Sequence, residues 1–112
     1  MTGDVARLSD ILAAIKSIEE FRKDGEAYFF EDLKTQHAVF HDLVVIGEAV
    51  RNLTEATKLA CPETPWDDIK GLRNKLTHEY SGINLEVVWR TVIDDLPPLR
   101  EAAEGLLGRF GG

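Results

Sequence analysis

From Asp4 to Leu107 the apolar residues recur at spacings of three and four, and nowhere does the chain alternate apolar and polar residues as a half-buried strand would. That periodicity puts one apolar stripe on each helix and leaves a bundle as the way to bury the stripes. Val5, Leu8, Leu12, Ile15 and Ile18, widened by Ile11 and Phe21, predict a first helix from Asp4 to about Asp24-Gly25, with Thr2 or Asp4 as its cap. Leu33, Phe40, Leu43, Gly47, Val50 and Leu53, thickened by Val44 and Ile46, predict a long second helix from about Glu31 to about Leu59. Gly47 lies inside that stripe, where a close helix crossing would justify it. Gly25 to Phe30 reads either as a loop or as a fraying turn.

Cys61-Pro62-Glu63-Thr64-Pro65 breaks the pattern. Thr64 suits an N-cap, Pro65 the first helical position, and Asp67 the positive end of the helix dipole, so a third helix is expected from Pro65 to about Glu79. Ser81-Gly82 ends it. Asn84 is placed to cap a fourth helix with Val87, Val88, Thr91 and Val92 on its face. Pro97-Pro98 then separates a short fifth, Leu99 to Leu107, and residues 108–112 form a tail expected to fray. The expected fold is all-α: an up-down bundle of four main helices plus a short C-terminal one. At 112 residues the chain is one domain, 1–112, small enough that a dimer would help bury its apolar faces.

One cysteine, Cys61, excludes an internal disulfide framework and a Cys-paired zinc site, which points to a reducing, cytoplasmic setting. The longest apolar run, Leu43 to Ile46, is far below the ~20 residues of a membrane span, and the first residues lack the basic and apolar regions of a signal peptide. The net charge of -7 speaks against nucleic acid on average, but its distribution is uneven. Residues 1–69 carry 7 basic and 14 acidic side chains, and residues 79–112 carry 3 and 6. Between them, 70–78 holds Lys70, Arg73 and Lys75 with no acid, and it also holds His78.

That basic segment continues as Arg73-Asn74, three residues, His78, one residue, Tyr80. The spacing resembles the R-x4-H-x-Y signature of HepT-like toxins in the HEPN superfamily of small helical ribonucleases. The flanks agree: Ile46-Gly47-Glu48-Ala49, Trp66-Asp67-Asp68-Ile69, Ile83-Asn84 and Val88-Trp89. The resemblance extends from Asp4 to Leu107 and implies a HEPN-like bundle that cleaves RNA without a metal or other cofactor. It implies a homodimer whose motif helices meet at a shared cleft. Carried over, His78 acts as base on a ribose 2′-OH or as acid for the leaving oxygen, Arg73 holds the phosphate, and Asn74 orients phosphate or His78. Lys70 and Lys75 would support RNA binding. Attack by a 2′-OH makes RNA, not DNA, the substrate. In HepT-like systems the tyrosine matching Tyr80 receives AMP from a nucleotidyltransferase antitoxin, so a separate partner chain of that kind is expected.

Helical geometry bears on this assignment. Asn74 and His78 share a face, as do Arg73 and Tyr80, whereas Arg73 and His78 diverge by about 140°. One straight helix does not easily aim both at one phosphate; long side chains, a helix that unwinds before Ser81-Gly82, or a second subunit would close the gap, and geometry favours a dimeric composite site.

Plainer roles stand beside these. His78 also fits a core or capping histidine, Arg73 and Lys75 an ordinary solvated face, and Tyr80 a half-buried anchor. His37 and His41 have the i, i+4 spacing of metal ligands but lack the surrounding metalloprotease pattern. Trp66 and Trp89 suit core or interface anchors better than base-stacking platforms. Glu19-Glu20, Asp67-Asp68 and Asp94-Asp95 are sequence neighbours that point apart on a helix, which argues against acid/base dyads. The alternative function is a catalytically silent HEPN-like module that binds a nucleotidyltransferase.

Overall fold

The computed structural model of the protein describes residues 2–78 and 82–110, and at positions 2, 72–75, 77 and 78 the backbone alone. The helices are α1 (Thr2–Arg22), α2 (Glu26–Glu31), α3 (Leu33–Arg51), α4 (Glu55–Leu59), α5 (Trp66–His78), α6 (Leu85–Arg90) and α7 (Leu96–Arg109). A π-helical turn, Thr91–Asp95, joins the last two, and no strand occurs among the described residues. The bundle measures 41 × 27 × 21 Å. Helix α3 is its middle member, packing against α1 on one side and α5 on the other, while α7 covers α1. Gly47 is buried on that middle helix, as a crowded crossing requires.

The first helix follows its pattern closely. Leu8, Ile11, Ile15 and Ile18 are buried against Leu43, Ile46, Val50 and Leu99 in one continuous core. Gly25, at φ +90°, turns the chain out of α1, a backbone conformation that a Cβ would strain. The segment after it is helical, not loop. Phe29 is buried in α2, its ring 5.2 Å from that of Trp89, and the buried Gln36 amide donates to the Phe29 and Phe30 carbonyls at 2.9 and 3.2 Å.

Three expectations need correction. The long second helix is two helices, and its start moves to Leu33 because Asp32 caps it, accepting the Thr35 N–H at 3.0 Å. It ends at Arg51, where the Asn52 backbone and side-chain N–H groups both turn back to the Glu48 carbonyl. Thr54 then caps α4. Leu33, assigned to the buried stripe by spacing, is exposed, and so is Leu59, where the helix was expected to end.

Asp4 does not cap α1, which already begins at Thr2. Its carboxylate, buried in the first turn, instead accepts the Thr54 N–H at 3.1 Å, the Thr54 hydroxyl at 2.6 Å and the Thr57 hydroxyl. This contact holds the break between α3 and α4 against α1. It spans 50 residues, so no local pattern announces it.

The prolines at 97 and 98 do not separate a fifth helix. They sit in the first turn of α7, where their missing N–H groups are tolerated, and the π turn before them lets the Leu96 N–H reach back to the Thr91 carbonyl. The fourth and fifth expected helices therefore form one continuous helical run, α6 through α7, with Asn84 capping it as expected through bonds to the Glu86 and Val87 N–H groups. Arg100 clips this run to α1, donating to Glu19 at 2.9–3.0 Å and to Glu104 at 3.0 Å. Exposure keeps that triad worth little.

The Asp4 cluster carries a pH prediction. Burial pushes the carboxyl pKa up, but the Thr54 and Thr57 hydroxyls and the Thr54 N–H together outweigh it and hold the pKa below the ordinary 3.8. A depressed folded-state pKa stabilises the fold above the unfolded value of about 3.9, and this contribution is lost as pH falls through the folded value. Asp4→Ala should remove about 1–3 kcal/mol at neutral pH by leaving three donors unmet. Denaturant melts should show that the variant loses less stability than wild type between neutral pH and pH values below about 4.

Candidate active site

The helix that carries the basic segment is set by its first turn. The Pro65 carbonyl accepts the Ile69 N–H at 3.1 Å, so Pro65 occupies the cap and Trp66 the first helical position, one residue later than expected. The Trp66 indole is buried, and its N–H donates to the Lys58 and Cys61 carbonyls at 3.1 and 3.0 Å. Those carbonyls end α4 and begin the following loop, so one side chain pins the start of α5 to the preceding turn. Asp67 and Asp68 lie in the first turn, at the positive end of the dipole.

Trp66, Ile69 and Leu76 are buried where α5 packs on α3. At about 100° per residue, Ile69 and Leu76 agree within about 20° and fix the inward direction of the helix. Positions 74 and 78 then fall about 160° from Leu76 on either side, on the outward face, while position 73 falls about 60° from it, on the flank of the core. This register comes from the α5 backbone; the side chains of Arg73, Asn74, Lys75 and His78 lie outside the described residues, and Tyr80 lies outside them entirely. Lys70 is described and half-buried, in a cleft that also takes in Lys58, Trp66 and Asp67.

A second cleft, of about 320 Å³, flanks the N-terminal half of α5 and is lined by Asp67, Asp68, Ile69, Val87, Thr91 and Asp95. Burial raises the Asp95 carboxyl pKa, and the neighbouring Asp94 and Asp68 charges raise it further. The acids lining this flank disfavour a polyanion there. Periodicity does not show this cleft, because its acids come from two segments that only the packing of α5 beside the π turn brings together. The Trp66 anchor was likewise visible only as a core aromatic.

The remaining candidates separate from α5. His37 and His41 are exposed on α3, the His37 ring 6.3 Å from that of Phe40. Cys61 is a half-buried free thiol. Glu19 pairs with Arg100 and Glu20 with Lys23, so these two neighbours point apart, whereas Asp67 and Asp68 line one cleft. Trp89 stacks on Phe29 rather than standing open to a base. Among the described residues no group of three or more His, Cys, Asp or Glu is placed to hold a metal ion, and no helix is long and apolar enough to cross a membrane.

Comparison with known proteins supplies the context for α5. The profile of the family described as Ribonuclease HepT-like matches residues 11–106. The protein named "Probable ribonuclease HepT" of Thermococcus cleftensis is 42% identical, over 88% of this chain and 91% of its own. The one named "Putative RNase MJ0127" of Methanocaldococcus jannaschii is 46% identical, over 82% and 77% respectively. No solved structure matches the chain.

Proposed function

The chain belongs to the HepT-like ribonuclease family, and from that membership we propose that it is the RNA-cleaving toxin of a toxin–antitoxin pair, acting as a homodimer without a metal ion. What carries this is a coincidence on one helix: the family match runs through Arg73, Asn74 and His78, and these residues fall in the acid-free, basic segment 70–78 of an otherwise acidic chain.

The chemistry follows from the residue types. His78 takes the proton from a ribose 2′-OH, or delivers one to the departing 5′-oxygen; imidazole as a side-chain type, with an unperturbed pKa of about 6.5, suits both tasks. The 2′-oxygen attacks the adjacent phosphorus and the P–O5′ bond breaks, leaving a 2′,3′-cyclic phosphate and a free 5′-hydroxyl. Arg73 holds the phosphate and its developing charge through its planar fork of donors, and Asn74 orients the phosphate or the imidazole. Lys70 and Lys75 draw the RNA backbone to the outward face of α5. Positions 73 and 78 are about 140° apart on that helix, so Arg73 and His78 converge across two subunits.

Tyr80, two residues beyond His78, is the proposed site of AMP attachment by a separate nucleotidyltransferase antitoxin. A bulky anion there would obstruct the cleft and repel RNA phosphate.

Two readouts test this. End-group mass spectrometry of the RNA fragments should find cyclic phosphates opposite 5′-hydroxyls; 5′-phosphate ends would contradict the 2′-OH mechanism. Intact mass of the protein made beside its antitoxin should increase by whole AMP units, and Tyr80→Phe should abolish the increase. An increase that survives Tyr80→Phe would place the modification elsewhere.

A further inference from the structure

The cleft that holds Lys70 measures about 350 Å³ and lies where α4 and the loop after it meet the start of α5. Leu59, Pro62 and Pro65 supply its apolar lining, and Leu59 stands 71% exposed. Lys58 is held beside them. Its side chain is only 13% exposed, with the Nζ 3.6 Å from the carboxylate of Glu55, which also lines the cleft. Asp67 and Asp68, in the first turn of α5, add two further carboxylates.

Helix register joins this cleft to the proposed cleavage site. Trp66, in the cleft, and position 73 agree in direction within about 20° on α5. Lys70 precedes position 73 by about 4.5 Å along the axis. A strand whose phosphate rests on Arg73 therefore brings its neighbouring nucleotide to the cleft.

The lining selects which part of that nucleotide enters. Three carboxylates beside two ammonium groups disfavour a phosphate. A base is uncharged, and its flat faces suit the leucine and the prolines. Its edges then discriminate. Guanine alone offers two adjacent acceptors, O6 and N7, to a lysine and two adjacent donors, N1–H and the 2-amino group, to a carboxylate.

We propose that the cleft between α4 and α5 is a base subsite for the nucleotide next to the scissile phosphate, and that it prefers guanine. The proposal rests on the ribonuclease reading for its occupant, but its readout is binding and needs no cleavage.

The probes are fluorescein-labelled 2′-O-methyl hexanucleotides, which lack the attacking 2′-OH. Each is uracil throughout except for one central base, which is G, A, C or U. In fluorescence anisotropy, unmodified wild-type protein should bind the guanine strand about fivefold or more tighter than the other three. Leu59→Ser, at an exposed position, should shrink that ratio to within about twofold, and so should Asp67→Asn with Asp68→Asn. A ratio between strands cancels the effect of altered net charge. Leu33→Ser, exposed at 61% on α3, should leave the ratio unchanged.

Equal affinity of the wild type for all four strands, or binding of none, would overturn the proposal. So would a guanine preference that survives both the Leu59 and the paired Asp variants. Neither result touches the ribonuclease reading if ordinary RNA is still cut. A guanine preference lost in those variants, in a protein that cuts no RNA, would keep the subsite and remove the ribonuclease.

Discussion

His78→Ala is expected to slow RNA cleavage by about 10²- to 10⁴-fold, and Arg73→Ala by a comparable factor, with the fold intact in both. The two losses have different origins. Without the imidazole, no group of suitable pKa moves the 2′-OH proton. Without the guanidinium, charge building on the phosphate goes unmet. Each variant should still fold, because position 78 lies on the outward face of α5 and position 73, about 60° from Leu76, stands on the flank of the core and not within it. Mixing the two inactive variants makes the prediction sharper. If each site takes Arg73 from one subunit and His78 from the other, a mixed dimer rebuilds one complete site. Activity should then return to a substantial fraction of wild type. Sites contained within one subunit would show no recovery, which would refute the composite cleft while leaving both residues catalytic.

The largest expected effect on stability is at Trp66. Trp66→Ala removes a buried indole, leaves a cavity where α4, the loop and α5 meet, and strips the Lys58 and Cys61 carbonyls of their shared donor. Loss of a large core aromatic costs about 3–5 kcal/mol, which for a domain of this size lowers Tm by about 10–25 °C. Trp66→Phe keeps most of the ring and loses only the N–H, so it should cost about 1–2 kcal/mol. Denaturant unfolding separates the two, with the midpoint falling and the slope unchanged. The anchor also has a functional consequence. Below its melting temperature, Trp66→Phe should cleave RNA at close to the wild-type rate, since the register of α5 is held by Ile69 and Leu76 as well. Trp66→Ala melting alongside wild type would show that α5 does not depend on this anchor.

What could be read from the sequence follows the range over which each feature is determined. The buried faces of α1 and α5 and the Asn84 cap arise within a few residues, and three- and four-residue spacing reveals them. The breaks do not. Helix α3 stops at Asn52 and Thr54 caps α4, local features that apolar spacing passes over, and the Asp4 carboxylate that holds the break by taking the Thr54 N–H and two hydroxyls lies in the first turn of α1. Pro97 and Pro98 look like a break because the π turn that absorbs them carries no local signature. Exposed Leu33 misleads for a related reason: spacing assigns a face but not whether anything covers it. The candidate site divides the same way. Its residue types and spacing are local, and the basic stretch 70–78 stands out by counting charges. The acidic cleft of Asp68 and Asp95 that bounds it depends on tertiary packing. Convergence of Arg73 with His78, on the proposed reading, would depend on a second copy, which no single chain displays.

The most direct measurement is the initial rate at which purified, unmodified protein cuts a single-stranded RNA in excess EDTA, beside the same strand with a 2′-deoxy sugar at the cut position. The expected result is full activity on the all-ribose strand with chelator present and no cut at the deoxy position. Cleavage only on addition of a divalent metal, equal cutting of the deoxy strand, or no cleavage of several RNAs would contradict a metal-independent ribonuclease; the last outcome would leave the helical module as a silent binding partner.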